Sequence, residues 1–391
     1  MLSFITYLKE EAEGEKLKHI THAEDRPLQK GSEGFQHSVG ALTQAHEHMK
    51  SGGHSSALTM KYDGSPSIVF GHHPETGKFF VASKSAFNKT PKLNYSEKDI
   101  DKHHGHAPGL VNKLKDALHH LPKVAPKKGV YQGDLMFSGD DKKETKHGVS
   151  FTPNTITYSA KGALGDKVRK SKLGVIVHTQ YHGKDITSMK ADSHPDIHHF
   201  KQHPDVWHQS AEHDTSKINY SEKDQSKFQE HIDAAKKIHG GKQGEAMYKA
   251  TQPHQGESNH LETYINHTVR TDEKPTANGL IKHIEGKYKK ATAKLKTPAA
   301  QTRKTAEAQQ HADYIKFHSN HYDNLLKMHN HLQQAKDVLV KNLEKHTGGL
   351  EHHIDNKPTG PEGFVVNHGG EPTKLVNRKE FAKANLLKVR K

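Results

Sequence analysis

Four short fragments of the sequence carry residue types that could act on a phosphate ester. The first is Lys-Tyr-Asp-Gly-Ser, beginning at Lys61, and the second places Asp134 inside an apolar run. In the third, Glu362 precedes Gly-Phe-Val-Val, and in the fourth, Lys374 precedes Leu-Val. Each fragment alone is common in proteins. Their order and their placement at the ends of predicted strands together indicate one site with two lysines and several carboxylates.

These residue types suit covalent nucleotidyl transfer, in which a lysine amine attacks the α-phosphorus of a nucleoside triphosphate. The amine must be neutral to attack, although free lysine has a pKa of about 10.4. Burial at a strand end beside a second cation lowers that pKa. The triphosphate also needs charge neutralisation, which a divalent ion on carboxylates and a second lysine can supply.

The elements that must position these fragments are short strands with a few helices between them. Apolar spacing predicts helices over 2–12, 34–51 and 110–121. Strand patterns bounded by turn residues occur at 57–61, 67–71, 78–83, 129–137, 155–159 and 173–181, and return at 363–367 and 374–376. We therefore expect an α+β fold with mainly antiparallel sheets.

The order of the four fragments resembles that in the ATP-dependent polynucleotide ligases, which belong to the covalent nucleotidyltransferase superfamily with the mRNA capping guanylyltransferases. The resemblance covers residues 55–185 and 358–391, about two fifths of the chain. The runs 130–137 and 151–158 are also similar to ligase-like proteins of large tailed phages.

The resemblance implies a role for each residue of the first motif. Lys61 would take AMP as a phosphoramidate, and Asp63, Gly64 and Ser65 would contact the nucleotide with it. Lys84 lies where the family supplies a further basic contact. As an isolated feature, Lys61 could also be an ordinary turn lysine.

The remaining motifs imply the other contacts of the nucleotide and of the metal. Asp134 would accept from the ribose, although it could also be a capped acid at a strand edge. Either His178 or Tyr181 would stack on the adenine. Glu362, together with Asp134, would bind Mg²⁺ or Mn²⁺, and Lys374 would bind the phosphates and assist catalysis.

The sequence departs from the family pattern at three places. Val376 stands where the family has a second lysine, and Arg378 follows it. The interval from Asp134 to Glu362 is much longer than usual, and the stretch after Lys374 is too short for the OB domain of DNA ligases. This favours an RNA ligase over a DNA ligase, or else an enzyme whose helical insertion clamps the substrate.

The long interval predicts a helical insertion at 190–356, where the strand pattern is lost. An apolar stripe over 302–346 indicates a long amphipathic helix or a helical hairpin. The expected layout is an N-terminal helical segment (1–54), two parts of a nucleotidyltransferase domain (55–189 and 357–391), and the insertion between those parts (190–356).

Composition narrows the classes of protein that remain. The chain has 59 Lys and Arg against 45 Asp and Glu, which gives +14 and suits a polyanionic partner. It has no cysteine, which excludes disulfides, thiol catalysis and Cys-type zinc sites. It has neither a run of 18 apolar residues nor a start typical of a secretory signal, so we expect an intracellular protein without a membrane span.

The 37 histidines are scattered and share no metal-ligand spacing, so a surface role is favoured over a dedicated metal site. The acids of His22-Ala-Glu24-Asp25 could contact a metal or a phosphate, but the first turn of a helix is favoured. The basic tail formed by Lys383, Lys388, Arg390 and Lys391 is equally consistent with a solvated tail and a phosphate contact.

The leading hypothesis is an ATP-dependent ligase that joins 5′-phosphate and 3′-hydroxyl ends of RNA or nicked DNA through lysyl-AMP. We expect it to act as a monomer in the cytoplasm, or in the host cytoplasm if it is viral. Two alternatives stay open. One is a non-catalytic nucleic-acid-binding or virion-associated protein that retains the fold, and the other is a nucleotidyltransferase with another acceptor.

Overall fold

The computed structural model describes residues 20–251 and 258–378. The predicted helix at 2–12 and the basic tail after residue 380 lie outside these ranges. Within them, no helix combines the length and the apolar character that crossing a membrane requires.

The described residues form an α+β fold, as expected. The helices are α1 (Arg26–Ser51), α2 (Glu97–His104), α3 (Pro108–His120), α4 (Gly162–Lys170), α5 (Glu222–His239), α6 (Gly241–Thr251), α7 (Ser258–Thr271), α8 (Ala277–Thr292), α9 (Pro298–Phe317) and α10 (Ser319–Leu343). The strands are β1 (Thr21–His22), β2 (His54–Lys61), β3 (Ser67–His72), β4 (Phe79–Ala82), β5 (Val130–Ser138), β6 (Lys142–Thr145), β7 (Gly148–Phe151), β8 (Thr157–Lys161), β9 (Leu173–His182), β10 (Lys190–Asp192), β11 (Val206–Ser210), β12 (Glu212–Asp214), β13 (Leu350–Ile354), β14 (Lys357–Thr359), β15 (Gly363–His368) and β16 (Glu371–Leu375).

The strands of the described residues form three sheets with mainly antiparallel pairing. The first has the order β1-β16-β15-β2-β12, and the second has the order β10-β9-β5-β3-β4 with β11 also beside β9. The third has the order β14-β13-β8-β7-β6. Strands β15 and β16 therefore complete the sheet that β2 begins, although about 300 residues separate them from it.

Helices occupy most of the segment 190–356, but strands lie at both of its ends, where the sequence pattern predicts none. Strands β10, β11 and β12 occupy its beginning and pair with β9 and β2, and β13 occupies its end. Helices fill only the part from α5 to α10. The short strands at 190–214 contain His, Gln, Ser and Asp, so their pairing with preformed strands overrides a weak local pattern.

The segment 302–346 is divided between two helices that meet at His318, and the predicted apolar stripe lies entirely in the second helix, α10. Helix α10 buries the stripe from Tyr322 to Leu343 and packs chiefly against α5, α6 and α1. Helix α9 buries only Ala312 and Ile315 and packs against α8. The stripe therefore belongs to one long amphipathic helix, and the few contacts between α9 and α10 exclude a hairpin of these two helices.

Candidate active site

Lys61 and Glu362 lie side by side at the point where β2 ends and β15 begins. The antiparallel register pairs Lys61 with Gly363, and the Lys61 ammonium forms an ion pair with the Glu362 carboxylate. Their side chains are 30% and 27% exposed. A Cβ at Gly363 would lie 2.6 Å from the Val376 side chain and 2.7 Å from the Leu375 carbonyl, so glycine permits this close approach.

Lys374 lies on β16, the neighbour of β15, where it pairs with Val365. Burial, and then the charge of Lys61, lower the pKa of Lys374. Burial raises the pKa of Glu362, although Lys61 partly opposes this shift. The first and fourth fragments therefore supply two electrostatically coupled lysines beside the partly exposed Glu362 carboxylate of the third.

The Gly64–Ser65 turn brings β2 against the second sheet at Asp134. The Ser65 amide donates to the Leu135 carbonyl (2.9 Å), and a Cβ at Gly64 would lie 2.5 Å from the Cβ of Asp134. A larger residue at position 64 would separate Lys61 from this sheet. The role of Gly64 and Ser65 seen here is to hold the two strands together.

Asp134 faces His178 on the neighbouring strand β9, with 3.6 Å between its Oδ1 and the Nε2 of His178. Burial alone would raise the pKa of Asp134. The opposing effects are larger, so the pKa is lowered: they come from His178, from a hydrogen bond with Ser67 and from the charge of Lys61. Asp134 is thus held ionised at the site, with a fifth of its side chain exposed.

The two candidates for the adenine contact differ in accessibility. His178 is 29% exposed, whereas Tyr181 is buried and its ring centre lies 4.4 Å from that of Phe87. The Tyr181 hydroxyl donates to Gln132, and the Gln132 amide donates to Ser67 (3.0 Å). Tyr181 therefore begins a hydrogen-bonded chain that leads to Asp134, and only His178 has an accessible ring.

Asp63 is fully engaged with the loop between β7 and β8. Its carboxylate accepts from the amides of Thr155 (2.6 Å) and Ile156 (2.9 Å) and from the Asn154 side chain (2.7 Å). Its own amide donates to the Tyr158 hydroxyl (2.7 Å). In this arrangement Asp63 positions the chain after Lys61, and this contact explains the run 151–158 that the sequence singled out.

Lys84 lies in a short 3-10 turn directly after β4 and is partly exposed. Within residues 20–251 and 258–378, the structure gives no contact between Lys84 and Lys61, Asp134, Glu362 or Lys374. Of the ten predicted site residues, Lys84 is the one that lies apart from the group around Lys61.

A buried ionic cluster lies next to Lys374, and sequence reasoning missed it. Glu24 pairs with Lys336 at 2.6 Å, and neither side chain has exposed surface. Asp25 accepts from His329 (2.9 Å) and from Arg378 (2.8 Å). We call these five residues the ionic cluster.

The ionic cluster gives a role to two features of the sequence. Glu24 and Asp25 lie in the first turn of a short 3-10 helix, as the sequence favoured, and both are buried, where cations pair with them. Arg378, which follows the missing second lysine, points into the cluster, where Asn266 also accepts from it (3.0 Å). Its partners are 112 to 353 residues away, so no local pattern could have identified them.

Oxygen ligands for a divalent cation are present but few. Among the described residues, no group of three or more His, Cys, Asp or Glu side chains has a metal-binding arrangement. Mg²⁺ is commonly bound by one or two carboxylates together with substrate phosphates, and the partly exposed Glu362 and Asp134 fit that pattern. A groove of about 450 Å³ between α8 and α9 includes none of the site residues.

Comparison with known proteins assigns the chain to one family. Residues 17–390 match DUF6267, a family of unknown function, and the chain is a member of that family. Neither a curated protein nor a solved structure matches it.

Proposed function

We propose that the protein is an ATP-dependent polynucleotide ligase, an RNA ligase in preference to a DNA ligase, with Lys61 as its covalent nucleophile. The observation that supports this most directly is the meeting of Lys61, Glu362 and Lys374 on adjacent strands opposite Asp134. Lysyl transfer of AMP requires a partly buried amine, a second cation and carboxylates. Lys61, Lys374 and the carboxylates of Glu362 and Asp134 supply these groups.

Lys61, Glu362 and Lys374 have different roles in the first step, the transfer of AMP from ATP to Lys61. Lys61 must lose a proton before it attacks, and the adjacent Glu362 can accept it because burial raises the pKa of its carboxyl group. The Lys61 nitrogen then bonds to the α-phosphorus as the bond to pyrophosphate breaks. Lys374 stabilises the negative charge that passes to pyrophosphate.

Two further transfers complete the ligation. The 5′-phosphate of a polynucleotide takes AMP as the bond between phosphorus and the Lys61 nitrogen breaks. The 3′-hydroxyl of a second end then attacks that phosphate, and AMP leaves. Glu362 and Asp134 would hold Mg²⁺ or Mn²⁺, which would neutralise phosphate charge when bound.

Incubation with α-labelled ATP and Mg²⁺, followed by denaturing electrophoresis, tests the proposal. We expect label on the intact protein that is stable to alkali and released by acid, as a phosphoramidate is. Lys61→Arg should abolish labelling because guanidinium stays protonated and offers no lone pair. Lys78→Arg, which changes an exposed lysine of the neighbouring hairpin, should label normally.

Two outcomes would decide against the proposal. If the wild-type protein stays unlabelled, a non-catalytic nucleic-acid-binding protein with this fold becomes the better hypothesis. If Lys61→Arg is labelled at the same peptide, the nucleophile has been misassigned. A panel of nucleotides and acceptors in the same assay would identify transfer to something other than a polynucleotide end. The proposal also includes action as a monomer in the cytoplasm, or in a host cytoplasm if the protein is viral.

A further inference from the structure

The connection between α8 and α9 has many cations and no acid. From Glu285 to Glu307 the chain has seven Lys and Arg residues and no other Asp or Glu. Four of these lysines are exposed, and none has an acidic partner among the described residues. We call them the basic corner: Lys289, Lys290, Lys294 and Lys296.

A favourable interaction with the helix dipole explains only two of the four lysines of the basic corner. Lys289 and Lys290 lie in the last turn of α8, where cations interact favourably with the helix dipole. Lys294 and Lys296 lie beyond that turn, in the connection to α9. Unpaired like charges this close repel one another, so an anion from outside the chain would stabilise them.

Helix α9 continues from the basic corner with an exposed stripe. Arg303, Gln310 and Phe317 recur every seven residues, and helical geometry places them within about 40° of one another over about 21 Å. The Arg303 side chain is 85% exposed, and so is Phe317. A cation, an amide and an aromatic ring thus follow one another along a single face.

We propose that the basic corner and this stripe of α9 bind single-stranded nucleic acid. The lysines contact successive phosphates, and an unpaired base stacks on Phe317. Proteins that bind single strands combine a basic surface with accessible aromatic rings in this way. A duplex would leave Phe317 without a partner because its base faces are already stacked. This surface is separate from Lys61, so the inference does not depend on the proposed transfer of AMP.

Fluorescence anisotropy with a labelled oligothymidylate, measured over a series of KCl concentrations, tests the basic corner. Changing its four lysines to Gln should weaken binding at least tenfold and reduce the slope of log K against log salt by about 2 to 3. The matched control changes four exposed lysines that alternate with acids on α5: Lys223, Lys227, Lys236 and Lys237. It removes the same charge and should change affinity less than threefold.

Phe317→Ala tests the stacking contact separately. It should weaken binding about tenfold and leave the salt slope unchanged, because stacking releases no counterions. Tyr95→Ala, at another exposed aromatic residue, should bind as the wild type does.

Three results would overturn the inference. The first is a wild-type protein that does not bind the oligonucleotide at low salt. The second is an equal loss of affinity in the basic-corner and α5 variants, which would mean that only total charge matters. The third is a change in sedimentation coefficient caused by Phe317→Ala without a change in binding, which would assign this face to contacts between copies of the chain.

Discussion

Glu24 and Lys336 form an ion pair with no exposed surface, and it joins the turn after β1 to helix α10. Burial alone would raise the pKa of Glu24, but the charge of Lys336 reverses the shift and lowers it. Asp25 and Arg378 extend the contact toward Lys374. The helical part of the chain is therefore tied to the strand that carries a proposed catalytic residue.

Lys336→Met should destabilise the protein strongly because it leaves the buried Glu24 carboxylate without its main cation. Removing one partner of such a pair costs about 3–5 kcal/mol. Urea denaturation would measure the loss in free energy of unfolding. The control is Lys341→Met, at an exposed position of the same helix. Adding Glu24→Gln to Lys336→Met should restore part of the stability, and a further loss would contradict this account.

Lys374→Ala should slow transfer of AMP to Lys61 by about 100-fold or more, because it removes a cation from the departing pyrophosphate. Single-turnover labelling with α-labelled ATP measures the rate. Lys357→Ala, at an exposed position of β14, is the control. A rate within twofold of the wild type would exclude a phosphate contact for Lys374.

Glu362→Ala should lower the rate of label transfer and raise the Mg²⁺ concentration needed for half-maximal rate. Both effects follow if the carboxylate accepts the Lys61 proton and also contributes to metal binding. Labelling over a Mg²⁺ titration separates them. Glu351→Ala, which removes an exposed partner of Lys161, is the control. Unchanged Mg²⁺ dependence would remove Glu362 from the metal site.

Asp63→Ala should disturb the position of Lys61 and lower the stability of the protein. It should affect nucleotide affinity less. It removes two hydrogen bonds from backbone amides and one from Asn154, at a cost of about 1–3 kcal/mol. The labelling rate should fall while the ATP concentration for half-maximal labelling stays nearly constant. Asn154→Ala removes one of these contacts and should have a smaller effect. A large rise in the required ATP concentration with unchanged stability would instead favour the direct nucleotide contact.

His352→Phe should make the protein less sensitive to acid. Burial lowers the pKa of His352 to about 4, and neither ring nitrogen has a partner among the described residues. At pH values well above 6.5, His352 is neutral in both the folded and the unfolded protein. As pH falls from 6.5 toward 4, only the unfolded state takes up the proton, so the folded state loses stability.

The expected gain for His352→Phe is about 3 kcal/mol at pH 4 relative to pH 7.5. Thermal melting at several pH values measures it. The control is His147→Phe, at an exposed position of the turn between β6 and β7. A parallel pH dependence in the wild type and His352→Phe would contradict the assignment.

Local patterns were sufficient to predict the strands that carry Lys61, Asp134 and Lys374. Each strand is a short apolar run bounded by glycine or polar turn residues, and the structure places strands there. The return of the strand pattern at Gly363 also anticipated the pairing with β2, because an incomplete sheet needs further strands. Whether these residues transfer AMP stays a prediction.

Features that depend on distant partners could not be predicted. Glu24 lies in the first turn of a short helix, but its burial could not be anticipated without knowing that Lys336 lies beside it. Residue types alone could not decide between His178 and Tyr181, because a bulge at His178 interrupts the register of β5 and β9. The strands at 190–214 have weak patterns of their own and are stabilised by the sheets that they join.

The long separation between β2 and β15 has a consequence for how the protein is made. Strand β2 leaves the ribosome about 300 residues before its partner β15, an interval of about 15–60 s at ordinary elongation rates. During that time one edge of β2 has no neighbour, and such edges favour aggregation. Nascent chains should therefore depend on chaperones until β15 and β16 emerge, and the cluster around Lys61 can form only after these strands are made.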